Sequence, residues 1–418
     1  MRLRNVFTLV AITATLLRYS HAGGPLYVAG TGFDPSVDGK PIIWSTTSPV
    51  SYRTPNAGGL GKLDNAHAIE RVQQLLKVWE DVPTAKIQFQ NGGAIQPTGA
   101  YQGGAVNSAA KFNAVARSCD QGVQTPIMFD ANGRVFDMFF GPNSGIIGFA
   151  GGCAADNFGM LLSALAFLNG AWIDGNVANG EMTDAQFDEA FVHEFGHLIG
   201  LDHSQISLEV LFQPRDNCDP DLVAALPVMF PFLHCQARPD AGFPMLSADD
   251  EAWVSKLYPE STDDPPKRVP FNRVYGVISG NVLFGDGETP AEGVNVLAED
   301  AEGDNSRAFS VVSGYLFTGN PGQHVGGGNR GDGGFGSHSP RLIGMYDIPV
   351  RAGSYNLRVE SIFFGFGGGS GVGPLFPIPI PGGTPPPGPI KVAAGAHVDG
   401  IDITLTNQQP RFDQFEGK

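Results

Sequence analysis

The chain has 418 residues, enough for two or three domains, and a formal net charge of −16. This acidity argues against nucleic acid or an anionic membrane surface as the main partner. With 42% apolar residues, 57 glycines and 32 prolines, the composition is typical of a turn-rich folded protein rather than a disordered one.

Residues 1–22 have the pattern of a secretory signal peptide. Arg2 and Arg4 precede a short apolar run, and Ala22 is a small residue directly before Gly23. The run is short for a membrane span, although a non-cleaved anchor is the alternative. No later apolar run has spanning length. We therefore expect a secreted, extracellular protein with no integral membrane segment in its mature chain.

The four cysteines fit an oxidising compartment, and four cysteines allow three pairings. We expect the disulfides Cys119–Cys153 and Cys218–Cys235, because each of these pairs closes a local loop.

After an N-terminal segment at residues 23–40, the chain alternates between strand and helix patterns. Residues 48–53 are a predicted first strand. Asp64 is the expected N-cap of a helix with an apolar stripe. Residues 86–90 alternate between apolar and polar side chains, as a strand does.

Two further segments lead towards the middle of the chain. Residues 126–129 are a predicted strand, followed by a turn at Asn132 and Gly133. Residues 161–172 are apolar and nearly free of charge. Periodicity alone does not decide whether this run forms a helix or a strand.

Thr183 and Gln186 form a predicted capping box that starts a helix. Behind it, phenylalanine and leucine side chains recur three or four residues apart and should pack into the core: Phe187, Phe191, Phe195 and Leu198. This stripe would hold the opposite face of the helix rigidly.

The most specific pattern in the chain is a run of eleven residues that begins at His193, His-Glu-Phe-Gly-His-Leu-Ile-Gly-Leu-Asp-His. His193 and His197 are four residues apart, so they share one face of a helix, with Glu194 beside it. Gly200 can adopt the left-handed conformation that ends a helix, and the turn can return His203 as a third ligand. Three protein ligands leave tetrahedral zinc one open position, as in catalytic sites.

The pattern H-E-x-x-H-x-x-G-x-x-H resembles the signature of the metzincin zinc proteases. Residues 227–231, Pro-Val-Met-Phe-Pro, resemble the Met-turn of that family, in which Met229 forms a packed floor and is not a ligand. Residues 246–258 resemble the closing helix of the matrixins, the matrix-metalloproteinase branch, with Ser247 as the N-cap. The specific motifs cover residues 183–258, and the likeness extends loosely back to residue 41.

This resemblance implies an α+β (α/β-type) zincin catalytic domain over residues 41–258, with a mixed twisted sheet and three main helices. It also implies that residues 161–172 form a strand, with residues 163–170 as the sheet edge along the substrate cleft. A peptide substrate would add itself to that edge as an extra strand.

The same resemblance implies that the chain is a secreted zinc endopeptidase acting on protein or peptide substrates. His193, His197 and His203 would hold Zn²⁺, and Glu194 would be the general base. The alternative is a catalytically silent extracellular adhesion or binding protein that retains the zinc fold. The intact Glu194 and the three intact histidines favour the enzyme.

Matrixins often carry structural Ca²⁺ bound by oxygen ligands, so calcium is a second candidate cofactor. Ordinary Asx turns are the alternative explanation for the polar loops that could hold it. The candidate residues are Asp130, Asn132, Asp156, Asn157, Asp174, Asn176 and Asn179. The cysteine-switch motif of latent matrixins is absent, and residues 23–40 are too few for a folded prodomain.

Residues 259–270 are acidic and proline-rich and are a predicted linker. Beyond them, short strand patterns predict an all-β sandwich over residues 271–408 that resembles carboxypeptidase-regulatory-like, transthyretin-like modules. Gly- and Pro-rich loops are expected at residues 319–339 and 365–389. The predicted strands are residues 276–282, 293–298, 401–405 and two within 344–359.

Overall fold

A computed structural model describes residues 23–142, 144–176, 180–204, 219–233, 236–317, 336–362, 383–384 and 388–406. The fold is mixed α+β, as predicted at that level, with several sheets. The described residues include six helices: α1 (Asn65–Glu80), α2 (Ala109–Asp120), α3 (Arg134–Phe140), α4 (Asp184–Leu198), α5 (Pro220–Ala225) and α6 (Ala248–Leu257). The predicted signal peptide and both cysteines of the predicted Cys218–Cys235 disulfide lie outside the described residues.

The strands of the first half of the chain are β1 (Val50–Thr54), β2 (Gly59–Leu60), β3 (Leu63–Asp64), β4 (Phe89–Ala94), β5 (Thr125–Asp130), β6 (Gly148–Ala155) and β7 (Leu161–Asn169). Those of the second half are β8 (Tyr275–Leu283), β9 (Val294–Asp300), β10 (Ala308–Val312), β11 (Met345–Arg351), β12 (Gly353–Ser361), β13 (Gly383–Thr384), β14 (Ile390–Val392), β15 (His397–Val398) and β16 (Ile403–Leu405). None of the described helices is both long enough and apolar enough to cross a membrane.

Contacts group the chain into two compact units. Among the described residues, the first unit comprises Ile42–Asp81 and Ile87–Gly200. The second comprises the described parts of Arg18–Pro41, Val82–Lys86 and Leu201–Lys418.

The first unit is built on a five-stranded sheet in the order β4-β1-β5-β7-β6. All neighbours in it are parallel except β6, which runs antiparallel to β7. The predicted sheet edge at residues 163–170 is therefore wrong, because residues 163–169 belong to β7, which lies between β5 and β6, and Gly170 begins a short 3₁₀ helix. A largely apolar run is typical of a strand covered on both faces. The edge strands of this sheet are β4 and β6, and the glycines of β6 give a weak strand signal.

Asp64 caps α1 as predicted, and its carboxylate accepts a hydrogen bond from the His67 N–H at 3.0 Å. The strand predicted at residues 86–90 is largely wrong in its bounds, because β4 spans Phe89–Ala94. The Cys119–Cys153 disulfide is present and buried. It joins α2 to β6 beside a cluster of aromatic rings that includes Phe112, Phe136, Phe149 and Phe167.

The second unit contains two larger sheets, ordered β10-β9-β12-β14 and β11-β8-β16-β13, with β15 also paired to β8. The predicted strand positions are confirmed. The consecutive strands β11 and β12 do not pair with each other, because β11 bonds to β8 while β12 bonds to β9. The chain thus passes from one sheet to the other at Ala352. A β-sandwich made of these sheets stays a prediction.

Helix α6 also belongs to the second unit and packs against β10 and β11. The Lys256 ammonium forms an ion pair with Asp347 of β11 at 2.7 Å. The predicted linker is hydrogen-bonded rather than free, since the Glu260 N–H donates to the Thr84 carbonyl at 3.0 Å. The domain boundaries predicted at residues 258 and 270 stay predictions, but contacts run directly across both.

Glu292 supports a prediction about stability and pH. Both of its carboxylate oxygens are buried without a hydrogen-bond partner among the described residues. Burial raises the pKa of this carboxyl to about 8 from its usual 4.5. The folded chain then keeps a proton that the unfolded chain releases, so the free energy of unfolding falls as pH rises from 4.5 to about 8. Glu292→Gln should remove most of this fall.

At pH 9 we expect Glu292→Gln to be more stable than the parent by roughly a few kcal/mol, since one pKa unit corresponds to about 1.4 kcal/mol. At pH 4 the two proteins should be nearly equal. Urea unfolding at both pH values measures the difference. Glu288→Gln, at an exposed position nearby, is the control. Equal pH dependence in Glu292→Gln and the parent would contradict the assignment.

Candidate metal centre

Helix α4 carries the first two candidate ligands and is fixed at its start by the predicted capping box. The Thr183 hydroxyl accepts from the Gln186 N–H at 3.1 Å, and the Gln186 side chain accepts from the Thr183 N–H at 3.2 Å. The predicted apolar stripe is also confirmed, since all four of its side chains are buried. The helix thus turns its opposite side towards the candidate site.

Two tryptophans outside α4 hold its backbone. The Trp79 indole N–H donates to the Val192 carbonyl at 2.9 Å, one residue before His193. The Trp44 indole N–H donates to the Leu198 carbonyl, also at 2.9 Å, one residue after His197. Both hydrogen bonds are buried. Neither contact can be predicted from a local sequence pattern, because each tryptophan is more than a hundred residues away from its partner along the chain.

Gly200 ends the helical segment as predicted. Its φ is +86°, in the left-handed region that favours glycine. Its N–H donates to the His197 carbonyl at 3.0 Å. The chain therefore leaves the helix axis between the second and third histidines of the motif.

Contacts that are distant in sequence support the three residues after Gly200. Leu201 forms a β-bridge with Pro25, and the Asp202 N–H donates to the Gly24 carbonyl at 2.9 Å. The Asp202 carboxylate accepts from the His203 N–H at 2.8 Å. The N-terminal segment therefore braces the backbone that carries the third histidine, a role that its sequence did not suggest.

The structure brings His193, His197 and His203 together. Their ligand atoms lie within 4.8 Å of one another, and this is the one such cluster of histidine, cysteine and acidic residues found in the described chain. The Nε2 atoms of His193 and His197 are 3.1 Å apart. Tetrahedral zinc with Zn–N bonds of about 2.0–2.1 Å needs about 3.3–3.4 Å between ligand nitrogens. The three histidines could therefore hold a metal ion.

Glu194 is buried on the same helix, and its Oε2 atom has no hydrogen-bond partner among the described residues. Burial raises the pKa of this carboxyl to about 8. Gly148, at the start of the edge strand β6, leaves room for it, because a Cβ there would lie 3.0 Å from the Glu194 Cγ. A buried carboxylate oxygen without a hydrogen-bond partner lowers the stability of the fold, so its presence calls for an explanation such as a functional role. It fits a site that handles protons beside a cation.

Met229 is buried, and its packing role beneath the histidines stays a prediction. Asp250 of α6 fixes its turn by accepting from the Val228 N–H at 2.8 Å and from the Met229 N–H at 3.1 Å. The Met229 carbonyl in turn accepts from the Ser204 N–H at 2.8 Å. The sequence predicts a helix over residues 246–258 but does not indicate this contact of Asp250.

Two aspartates among the candidate calcium residues have carboxylates that accept hydrogen bonds from nearby backbone N–H groups. Asp130 accepts from the N–H groups of Val135 and Phe136 at 2.7 and 2.9 Å. Asp156 accepts from the N–H groups of Phe158 and Met160 at 2.8 and 2.9 Å, as in an Asx turn. Asn179 lies outside the described residues. Bound calcium stays a prediction.

Comparison of the sequence with protein-family models and with curated proteins gives no match. The metzincin resemblance thus depends on the motif residues and on the cluster that they form.

Gly200→Val should lower metal affinity although Gly200 is not a ligand. A β-branched residue is strained at a φ of +86°, so the turn should shift and move His203. We expect zinc affinity, measured by competition with a chromogenic chelator, to fall almost as far as in His203→Ala.

Gly242→Val is the matched control, because Gly242 has a φ of +85° and open space around its Cβ position. It should cost stability without changing zinc affinity. Unchanged affinity in both Gly200→Val and His203→Ala would leave a two-histidine site and exclude the three-histidine one.

Proposed function

We propose that this chain is a secreted zinc-dependent endopeptidase in which His193, His197 and His203 hold zinc and Glu194 is the general base. The observation that carries the proposal is the buried, unpartnered Glu194 oxygen on the helix that presents two of the three clustered histidines. A purely structural metal site needs histidines but has no use for a buried carboxyl without a partner.

The number of ligands supports a catalytic rather than a structural site. Structural zinc sites are closed by four protein ligands, whereas catalytic sites use three and keep one position for water or substrate. The cluster has three members among the described residues. The donor set of three imidazoles also suits zinc better than calcium, which prefers oxygen ligands.

Zinc in a site of this kind supplies Lewis acidity towards water and towards a peptide carbonyl. Glu194 accepts the proton of the attacking water and then donates it to the leaving amine. Burial alone raises the pKa of the Glu194 carboxyl to about 8, and a cation held by the three histidines would lower it again and favour the ionised form that a general base needs. Phe230, which follows Met229, has no hydroxyl and cannot donate a hydrogen bond to the oxyanion.

The edge strand β6 supports a peptide as the substrate. It starts at Gly148, which contacts Glu194, and it is the outermost strand of its sheet. An extended peptide that paired with β6 would pass beside Glu194 and would gain main-chain hydrogen bonds independent of its sequence. The Cys119–Cys153 disulfide supports an oxidising, extracellular location.

Glu194→Ala should abolish hydrolysis of a denatured generic protein and leave zinc binding and folding intact. The reason is that Glu194 handles the proton but does not ligate the metal. Zinc content, circular dichroism and cleavage are measured on the same preparation.

Asp184→Ala is the matched control on the same helix. Asp184 is exposed and lies ten residues before Glu194, about 15 Å away along the helix axis. It should keep parent activity. Substantial turnover by zinc-loaded, folded Glu194→Ala would contradict the general-base assignment. A zinc-loaded parent without any proteolysis would favour the silent adhesion protein.

A further inference from the structure

The residue after the third candidate ligand belongs to a buried polar cluster that includes the C-terminal half of the chain. The Ser204 hydroxyl lies 3.1 Å from the Ser310 hydroxyl, which belongs to strand β10. The Asp249 carboxylate on α6 accepts from the Ser310 N–H at 2.9 Å and also bonds the Ser204 side chain. All three residues are at most 2% exposed. We call Ser204, Asp249 and Ser310 the serine–aspartate cluster.

Ser310 is itself held firmly. It pairs with Leu297 in the register of β10 against β9, and it is fully buried. Its carbonyl accepts from the Trp253 indole N–H at 2.8 Å, while its own N–H donates to Asp249. Its backbone is thus fixed by two residues of α6 and by a strand neighbour, so its hydroxyl has a defined position.

The position of Ser204, by contrast, depends on tertiary hydrogen bonds. It lies outside any helix or strand, directly after His203. Its backbone is held by the bond from its N–H to the Met229 carbonyl, and its side chain by the serine–aspartate cluster. The residue directly after His203 is therefore held in part by Ser310, which lies 106 positions beyond Ser204 in the chain.

We propose that Ser310 is a positioning residue for the metal centre and acts on His203 through Ser204. This inference rests on the proposed function in so far as His203 ligates zinc. Groups that hydrogen-bond a metal ligand typically change metal affinity by about 10–100-fold when they are removed, and Ser310 acts one residue further away, so we expect the lower end of that range. The C-terminal half then contributes to the metal centre through Ser204 and is more than an accessory module.

The test compares zinc affinity in the full chain with Ser310→Ala, Ser204→Ala and both together. Each single variant should lower zinc affinity about tenfold. The double variant should lose little more than Ser204→Ala alone, because Ser204→Ala already removes the hydrogen bond that Ser310→Ala deletes. The absorption spectrum of the cobalt(II)-substituted protein, which reports ligand geometry, should change in the same way in all three.

Ser313→Ala is the matched control. Ser313 is fully buried just after β10, and its hydroxyl donates to the Ala291 carbonyl at 2.8 Å, away from the serine–aspartate cluster. It should destabilise the apo-protein about as much as Ser310→Ala while leaving zinc affinity and the cobalt spectrum at parent values. This separates positioning from a general loss of stability.

Three results would overturn the inference. If Ser310→Ala and Ser313→Ala have equal zinc affinity, Ser310 has only a structural role. If losses in the double variant are additive, Ser310 does not act through Ser204. If the parent chain binds no zinc, both the proposed function and this inference are wrong. The first two results contradict only this inference and leave the proposed function intact.

Discussion

The geometry of an α-helix is the constraint on which the candidate centre depends. A spacing of four places His193 and His197 on one face of α4, but a histidine six residues later would point elsewhere if the helix continued. The chain avoids this conflict at Gly200, whose left-handed backbone ends the helical segment. Beyond Gly200, the backbone of His203 has no helix to hold it. Its position comes from Gly24, Pro25, Met229 and the serine–aspartate cluster.

Two of the histidines are positioned by helix α4 and the contacts that fix it, and the third is positioned by contacts that are distant in sequence. The capping box, the phenylalanine stripe and the two tryptophans fix α4 and therefore two histidines and Glu194. The third histidine depends on hydrogen bonds to the N-terminal segment, the Met229 turn and strand β10. Such a division means that the three candidate ligands come together only when segments far apart in sequence have folded.

The sequence predicted what is encoded locally. Capping at Asp64, Thr183 and Ser247, the turn at Gly200 and the Cys119–Cys153 pairing each depend on residues close in the chain or on simple spacing. The edge strand was missed because Gly148, Gly151 and Gly152 have low strand propensity, and β7 was misplaced because its apolar run does not identify its neighbours. The contacts of Trp44, Asp250 and Ser310 could not be predicted, since they depend on tertiary packing alone.

X-ray absorption spectroscopy of the zinc-loaded full chain can test the three-histidine zinc site without an activity assay, because it reports ligand type and distance. We expect three imidazole nitrogens at about 2.0–2.1 Å and one further oxygen or nitrogen, with no sulfur scatterer. The His203→Ala spectrum should lose one imidazole. A sulfur shell at about 2.3 Å, or three imidazoles still present after His203→Ala, would contradict the three-histidine zinc site.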